Sequence, residues 1–256
     1  MDPDNTLTAQ ALLQTWEQVQ GQHPLRRSLA LLQAAWPEAQ PQPWGTLPIG
    51  ERDSGLLTLY ESLFGPELDT LAACPACSEP LQMRFATHDM RPPPAQPRVA
   101  EEAGQAGLRA LNFDGYAIGW RLPSSDDLLG VIDTDHGTPE AAVAGLLQRC
   151  VIDAQHQGQP AVAADLPLPV IDRLQQEMAA CDPGADMRVT LSCPACGHAF
   201  ERRFDIGGYL WDALDNWAQR TLAEVHTLAG AYGWSEPQVL ALSATRRQHY
   251  IGLVQG

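Results

Sequence analysis

The stretch Cys74-Pro75-Ala76-Cys77 occurs twice in this chain, the second time as Cys193-Pro194-Ala195-Cys196, 119 residues further on. The likeness extends beyond the cysteines, because each copy is followed at the same spacing by an apolar residue and an Arg-Phe pair. These residues are Leu81, Arg84 and Phe85 in the first copy, and Phe200, Arg203 and Phe204 in the second. Two accidental cysteine pairs would not share this many positions. We therefore interpret the copies as two halves of one site.

Two cysteines separated by two residues in a tight turn can present two thiolates to one metal ion. Two such turns, called knuckles below, would complete a tetrahedron around Zn²⁺ and leave no open position. The sequence therefore predicts a structural zinc site at four cysteines: Cys74, Cys77, Cys193 and Cys196. Residues 81–85 and 200–204 can each return as a β-hairpin, and two knuckle-hairpins packed face to face describe a zinc ribbon. The separation is unusual, because such halves usually lie within about 15–20 residues of each other.

Three other interpretations of these cysteines stay open. A redox Cys-x-x-Cys of the thioredoxin kind requires a βαβ setting, which neither copy shows clearly. An iron site of the rubredoxin type would use the same four thiolates. Buried cysteines that bind nothing are the third possibility. The nearby His88 and His198 are predicted to be surface residues, since four sulfurs already fill a tetrahedron. Cys150 is assigned to the apolar face of a helix and Cys181 to a helix end.

Composition limits the compartment and the partners. The chain has 256 residues, of which 45% are hydrophobic and 18% charged, as expected of a globular protein. Its first residues do not resemble a signal peptide, so six cysteines indicate a reducing, cytoplasmic compartment. No apolar run approaches the roughly 20 residues of a membrane span, and we expect no membrane association. A net charge of −15 opposes binding to nucleic acid and favours a protein partner with a basic face.

Periodicity predicts an α+β chain that is mainly helical. Helices are predicted in residues 6–36 (a pair), 56–63, 138–151, 171–180 and 206–231, and a hairpin is predicted over 109–121 with its turn at Asp114-Gly115. Gly233 ends the long helix, and Ser235 and Ser243 begin two short closing helices. The stretches 37–48 and 91–97 are rich in proline, and 158–169 is predicted to be a loose connection. We predict three regions: N-terminal helices and a linker in 1–48, a mixed domain with both knuckles in 49–205, and a C-terminal helical segment in 206–256.

The polar motifs do not indicate an enzyme. The run Ser124-Ser125-Asp126-Asp127 is typical of a helix start, where a serine caps the first turn and the aspartates favour it. Glu224 and His226 lie two residues apart on a helix and point roughly 200° away from each other. Neither His-Glu-x-x-His nor the His-x-Glu of zinc deaminases is present.

The C-terminal region carries a resemblance to a known family. The run Glu224-Val225-His226-Thr227-Leu228-Ala229, followed by Tyr232-Gly233-Trp234-Ser235-Glu236, Leu240-Ala241-Leu242-Ser243, and Arg246-Arg247 with Tyr250, resembles the closing signature of phage baseplate and tail assembly chaperones. It is most similar to relatives encoded beside phage-tail-like contractile injection systems. Those relatives also carry Cys-Pro-x-Cys knuckles, a segment like Phe204-Asp205-Ile206 and a segment like residues 121–127.

The resemblance implies a non-enzymatic assembly factor that binds a baseplate or hub component through its closing helices. Trp234 and Tyr250 are the predicted partner-binding residues, because aromatic anchors dominate many interfaces. Trp211 and Trp217 fall on the apolar stripe of the long helix and are assigned to the core. The alternative function is a zinc-ribbon regulator or adaptor that binds another cytoplasmic protein. A regulator that contacts nucleic acid would need a basic face, for which only Arg202-Arg203 and Arg246-Arg247 are available.

Overall fold

The computed structural model describes residues 7–37, 43–91, 107–134 and 137–256. Helices and small antiparallel sheets alternate along these residues, so the predicted α+β class is confirmed. By its contacts the chain divides into two compact units. Unit 1 combines Met1–Pro41 with Asp205–Gly256, and unit 2 consists of Gln42–Phe204. Parts of both proline-rich stretches, 38–42 and 92–97, lie outside the described residues.

The elements follow one another in a fixed order. The α-helices are α1 (Ala9–Val19), α2 (Pro24–Ala35), α3 (Ile49–Phe64), α4 (Ser125–Ile132), α5 (Pro139–Cys150), α6 (Leu168–Cys181), α7 (Ile206–Tyr232), α8 (Glu236–Leu240) and α9 (Ala244–Gln255). The strands are β1 (Glu67–Ala73), β2 (Pro80–Ala86), β3 (Arg109–Phe113), β4 (Tyr116–Trp120), β5 (Val151–His156), β6 (Gln159–Pro160), β7 (Arg188–Ser192) and β8 (Ala199–Arg203). Short 3₁₀ turns lie between several of them.

Unit 1 is helical and is organised around α7. Asp205 caps α7 by accepting a hydrogen bond from the Gly208 amide, and Gly233 ends it with a φ of +69°. The apolar stripe of α7 packs against α1, α2, α8 and α9 around six buried residues: Leu13, Ala218, Val225, Leu228, Val239 and Leu240. The N-terminal helices and the C-terminal segment, which the sequence analysis treated as separate regions, therefore share one core.

Unit 2 contains a four-stranded antiparallel sheet in the order β3-β4-β5-β6. Its first turn is the predicted one, with Asp114 and Gly115 at φ of +50° and +75°, as a tight two-residue hairpin requires. Helices α5 and α6 supply apolar residues to the core beneath this sheet, which includes Trp120, Leu147 and Val170. The expectation of a loose connection over 158–169 is wrong in part. Residues 159–160 form β6, and a 3₁₀ turn follows.

Helix α3 begins earlier than its sequence predicts, at Ile49 rather than near residue 56. The preceding Pro48 offers no side-chain cap. The carboxylate of Asp182 instead accepts a hydrogen bond from the Gly50 amide at 3.0 Å, across 132 residues of sequence. A Cβ at Gly50 would lie 1.9 Å from the Asp182 Oδ1. The start of α3 therefore depends on a long-range contact that only glycine permits.

Candidate metal centre

Each knuckle forms the turn of a two-stranded antiparallel hairpin. Strands β1 and β2 pair from Glu67 opposite Ala86 to Ala73 opposite Pro80, with the first knuckle between them. Strands β7 and β8 pair from Arg188 opposite Arg203 to Ser192 opposite Ala199, with the second knuckle between them. The strands after the knuckles, β2 and β8, include the predicted returning stretches 81–85 and 200–204. The structure adds the strands that precede the knuckles and pair with them.

The two knuckles have matching backbone geometry. In the first, the Ser78 amide donates to the Cys74 carbonyl and the Cys74 amide to the Glu79 carbonyl, each at 2.9 Å. In the second, the Gly197 amide donates to the Cys193 carbonyl at 2.8 Å and the Cys193 amide to the His198 carbonyl at 2.9 Å. The residue after the second cysteine has a positive φ in both, +61° at Ser78 and +73° at Gly197. The two turns therefore have the same backbone conformation, although the residues at 78 and 197 and at 79 and 198 differ.

The structure brings the four predicted sulfurs together. The Sγ atoms of Cys74 and Cys196 lie 3.7 Å apart, and those of Cys77 and Cys193 lie 3.6 Å apart. All four lie within 4.8 Å of one another. Four sulfurs at about 2.3 Å from a central ion stand about 3.8 Å apart along each edge of a regular tetrahedron. The cluster therefore has the dimensions of a four-thiolate metal site.

The contacts between the hairpins are reciprocal. The first cysteine of each copy approaches the second cysteine of the other. Leu81 and Phe200, which occupy equivalent positions in the repeat, both pack against the buried Cys74 and Cys193. Phe85 and Phe204, also equivalent, meet edge to face with their ring centres 5.4 Å apart. This reciprocity is the pattern of a two-fold pairing within one chain.

The hydrogen bonds among the sulfurs separate the thiols by acidity. Burial opposes ionisation of Cys74, but hydrogen bonds from the Ala76 and Cys77 amides and from neighbouring thiols bring its pKa down to about 7. At Cys77 the Glu79 amide favours the thiolate, yet hydrogen bonding with Cys196, burial and the other thiols raise its pKa to about 12. The cluster thus holds protons that a bound cation would displace, so metal binding at this site would release protons.

The setting of the knuckles bears on the other interpretations. Both lie in hairpin turns rather than between a strand and a helix start, which does not match the thioredoxin setting. Cys74 and Cys193 are buried, whereas Cys77 and Cys196 are exposed. Exposed thiols do not fit cysteines that only fill an apolar core. His88 and His198 are exposed, as predicted.

The Ser-Asp run is a helix cap joined to an arginine. The Ser124 hydroxyl accepts from the Asp127 amide, and the Ser124 amide donates to the Asp127 carboxylate, which together form a capping box. Arg121 donates two hydrogen bonds to the same carboxylate, at 2.6 and 2.7 Å. Burial of Asp127 opposes its charge, but the hydrogen bonds from Arg121 and Ser124 outweigh it and lower its pKa below the usual value. Ser124, Asp127 and Arg121 thus form the N-terminal cap of α4.

Glu224 and His226 diverge, as the helix geometry predicted. His226 is exposed, whereas Glu224 forms an ion pair with the buried Arg247 at 2.6 Å. Arg247 also donates to the Leu242 carbonyl at 2.7 Å. The pair joins α7 to α9 and was not predicted, because the two residues lie 23 positions apart in sequence.

Trp234 and Tyr250, the predicted partner-binding residues, lie in one aromatic cluster of unit 1. The Trp234 ring stacks on Tyr232 at 4.8 Å and meets Tyr250 edge to face at 5.0 Å. Both are half-buried and pack against the unit 1 core. Trp217 packs against the same core, and the Arg27 guanidinium covers Trp211 at 4.4 Å from its ring centre. Trp217 thus has the core position expected of it, whereas the half-buried Trp211 lies against a charged side chain.

No protein-family model matches this chain, and neither a curated protein nor a solved structure does. Within the described ranges, no helix combines the length and the apolar character needed to cross a membrane.

Proposed function

We propose that Cys74, Cys77, Cys193 and Cys196 bind one structural Zn²⁺ and that the two hairpins form a split zinc ribbon. The observation that carries this proposal is the convergence of all four Sγ atoms within 4.8 Å from two turns 119 residues apart in sequence. Four thiolates would occupy all four coordination positions of a tetrahedral Zn²⁺, which leaves none for a substrate or an attacking water. The metal would therefore hold the fold together rather than perform chemistry.

Zinc is preferred over iron on grounds of affinity. Tetrahedral sites with four sulfurs accept both metals. A given site generally binds Zn²⁺ more tightly than Fe²⁺, following the order of stability of the divalent metals. A reducing cytoplasm is the compartment that this proposal requires, since the thiols must stay reduced until the metal binds.

For the protein as a whole, we propose a non-enzymatic assembly factor or chaperone that binds a baseplate or hub component of a contractile phage-tail-like particle. The sequence resemblance of residues 121–127 and 204–250 supports this assignment. The aromatic cluster around Trp234 and Tyr250 supports it as well, because it offers rigid anchors on the closing helices. The alternative, a zinc-ribbon adaptor for another cytoplasmic protein, has the same metal centre and the same aromatic cluster.

Binding to purified particle components tests the assignment. The full chain would be mixed with baseplate, hub and sheath subunits of a contractile particle, and complexes would be measured by sedimentation and calorimetry. We expect a complex with a baseplate or hub subunit but not with the sheath subunit. A Trp234→Ala/Tyr250→Ala variant should weaken it by tenfold or more, about 1.4 kcal/mol. Binding to none of these subunits would favour the adaptor.

A further inference from the structure

Unit 1 carries an exposed aromatic and aliphatic surface on its closing helices. We call it the α9 surface and define it by five residues: Tyr232, Trp234, Tyr250, Leu253 and Val254. The three rings form one cluster, with centres 4.8 to 5.7 Å apart. Leu253 and Val254 lie three and four positions after Tyr250 on α9 and so adjoin it on the same face of the helix. Helical spacing therefore places Leu253 and Val254 next to the ring cluster.

Much of the α9 surface is open to solvent. Leu253 is 74% exposed, and Tyr232 and Val254 are each 40% exposed. A helix whose only task is to cover a core places its large aliphatic residues inward. On α9 the one fully buried side chain is instead the charged Arg247, and Leu253 is among the most exposed hydrophobic residues of the described chain. Exposed apolar side chains that adjoin a cluster of aromatic rings are typical of a protein interaction site.

The charge of this region differs from that of the whole chain. The chain carries 31 acidic residues and a net charge of −15, yet residues 237–256 contain neither Asp nor Glu. Arg247 is neutralised by Glu224 beneath the surface. Arg246 and His249 remain exposed on α9, beside Tyr250. The nearest acidic residue that precedes them in sequence and is exposed is Glu236, at the start of α8. Glu236 lies two residues after Trp234, so the surface is acidic at that end, and its basic edge, formed by Arg246, lies on α9.

We propose that the α9 surface binds an acidic segment of a protein partner that carries apolar anchor residues. The anchors would pack on the rings and on Leu253, and the acidic side chains would face Arg246. The net charge of the chain favours a basic partner, but the charge near the α9 surface favours an acidic one. The local charge decides, because salt screens the more distant charges. The surface itself follows from the contacts above. Only the identification of the partner as a baseplate or hub subunit rests on the proposed function.

Two matched synthetic peptides test the chemistry of the partner. Both are labelled helices with leucines along one face. One carries glutamates beside the leucines, and the other carries lysines at the same positions. We expect the full chain to bind the glutamate peptide at least tenfold more tightly in fluorescence anisotropy. Arg246→Glu should remove most of that preference, and Leu253→Ser should weaken binding of the glutamate peptide. Arg202→Glu, an equal charge reversal at an exposed position of β8, is the matched control and should have no effect.

Four results would overturn the proposal. Equal binding of both peptides, or an equal effect of Arg202→Glu and Arg246→Glu, would exclude recognition of acidic groups. Self-association of the wild type that Leu253→Ser abolishes would assign the surface to a second copy of this chain. Binding to vesicles of anionic phospholipid in preference to the glutamate peptide would assign it to a membrane surface.

The particle subunits separate this proposal from the proposed function. If a baseplate or hub subunit binds and neither Arg246→Glu nor Leu253→Ser weakens the complex, the α9 surface is not the binding site, but the proposed assembly function is retained. If the glutamate peptide binds as expected and no subunit binds, the α9 surface is supported as a binding site for acidic segments, and the proposed assembly function is wrong.

Discussion

The hairpins of unit 2 and the helices of unit 1 bring distant parts of the sequence together by different interactions. In unit 1, α1 and α2 join α7 through a continuous apolar core and a few polar contacts, such as the hydrogen bond from the Trp16 indole to Asp215 at 2.9 Å. The two hairpins of unit 2 share a much smaller apolar cluster of Cys74, Leu81, Cys193 and Phe200. A cluster this small supplies little of the apolar burial that joins the helices of unit 1, so the proposed metal would be the main link between the hairpins.

Removal of the metal should have the largest effect and should affect the hairpins of unit 2 alone. A bound ion closes a loop of more than 100 residues, a restraint that in the chain-entropy description stabilises a fold by about 5 kcal/mol. When zinc-loaded protein is treated with a chelator, we expect amides of residues 67–86 and 188–203 to lose protection from hydrogen exchange. Residues 206–232 should keep theirs, since α7 belongs to unit 1. Equal loss of protection in both units would contradict this division.

The buried ion pair of unit 1 provides the corresponding test for the helices. Arg247→Ala leaves the half-buried Glu224 with a hydrogen bond from Gln248 but no cation, and we expect it to lower the free energy of unfolding of unit 1 by about 3 kcal/mol. The neighbouring Arg246 is exposed, so Arg246→Ala should change the free energy of unfolding by less than about 0.5 kcal/mol. Urea denaturation followed by tryptophan fluorescence measures both. Similar effects of the two substitutions would show that the ion pair contributes nothing.

The polar network of unit 2 should show its own dependence on pH. Asp127→Asn removes the carboxylate that Arg121 and Ser124 hold, at an expected cost of about 2 kcal/mol at pH 7. The pKa of this carboxyl is lowered in the folded protein, so its stabilisation is present above the unfolded value of 3.8 and is lost as the pH falls through the folded value. The difference between wild type and variant should therefore shrink on acidification below pH 3.8.

Asp182 is the matched control, because its pKa shifts the other way. Burial raises the pKa of Asp182, which means that its charge destabilises the folded state at neutral pH. Relative to Asp182→Asn, the wild type should therefore become more stable as the pH falls from 7 towards the unfolded pKa of 3.8. Parallel urea titrations of the two variants and the wild type measure the slopes. Slopes of the same sign would contradict these assignments.

The smallest effects are expected at the positive-φ positions of the knuckles. Gly197→Ala adds a Cβ that would meet no atom of the described residues within 4 Å, so we expect its cost to be that of the left-handed backbone, about 1 kcal/mol. Ser78 already adopts this conformation, and Ser78→Gly should raise the stability by less than about 1 kcal/mol. Thermal unfolding of the zinc-loaded variants compares them. Opposite signs would confirm that the knuckles are equivalent, whereas a destabilising Ser78→Gly would indicate that the serine side chain has a role of its own.

Much of the fold follows from local sequence. Periodicity and capping predicted α7, its end at Gly233 and the two closing helices, because these signals lie within a few residues of one another. The hairpin turn at Asp114-Gly115 was predictable for the same reason. The convergence of the four cysteines was also predicted, because two matching copies of Cys-Pro-Ala-Cys indicate that these distant residues form one site.

Contacts without a sequence signature were missed. The residues near Ile49 carry no signal for the start of α3, because the residue that caps this helix is Asp182, far along the chain. Strand β5 follows α5 without a turn signal, and it contains charged and amide residues that do not alternate cleanly with apolar ones. Strand β6 was missed although Gly158 marks the turn before it, because β6 has only two residues. The ion pair between Glu224 and Arg247 depends on how α9 folds back on α7, which helix periodicity alone does not specify.

Metal content is the most direct test of the central claim that one ion joins both hairpins. Protein purified without chelator would be subjected to elemental analysis as wild type, as Cys193→Ser and as Cys181→Ser, the last being a half-buried cysteine outside the cluster. We predict about one zinc per chain in the wild type and in Cys181→Ser, and its loss in Cys193→Ser together with the stability of the hairpins. Full retention of metal by Cys193→Ser, or no metal in the wild type, would contradict a single site built from both knuckles.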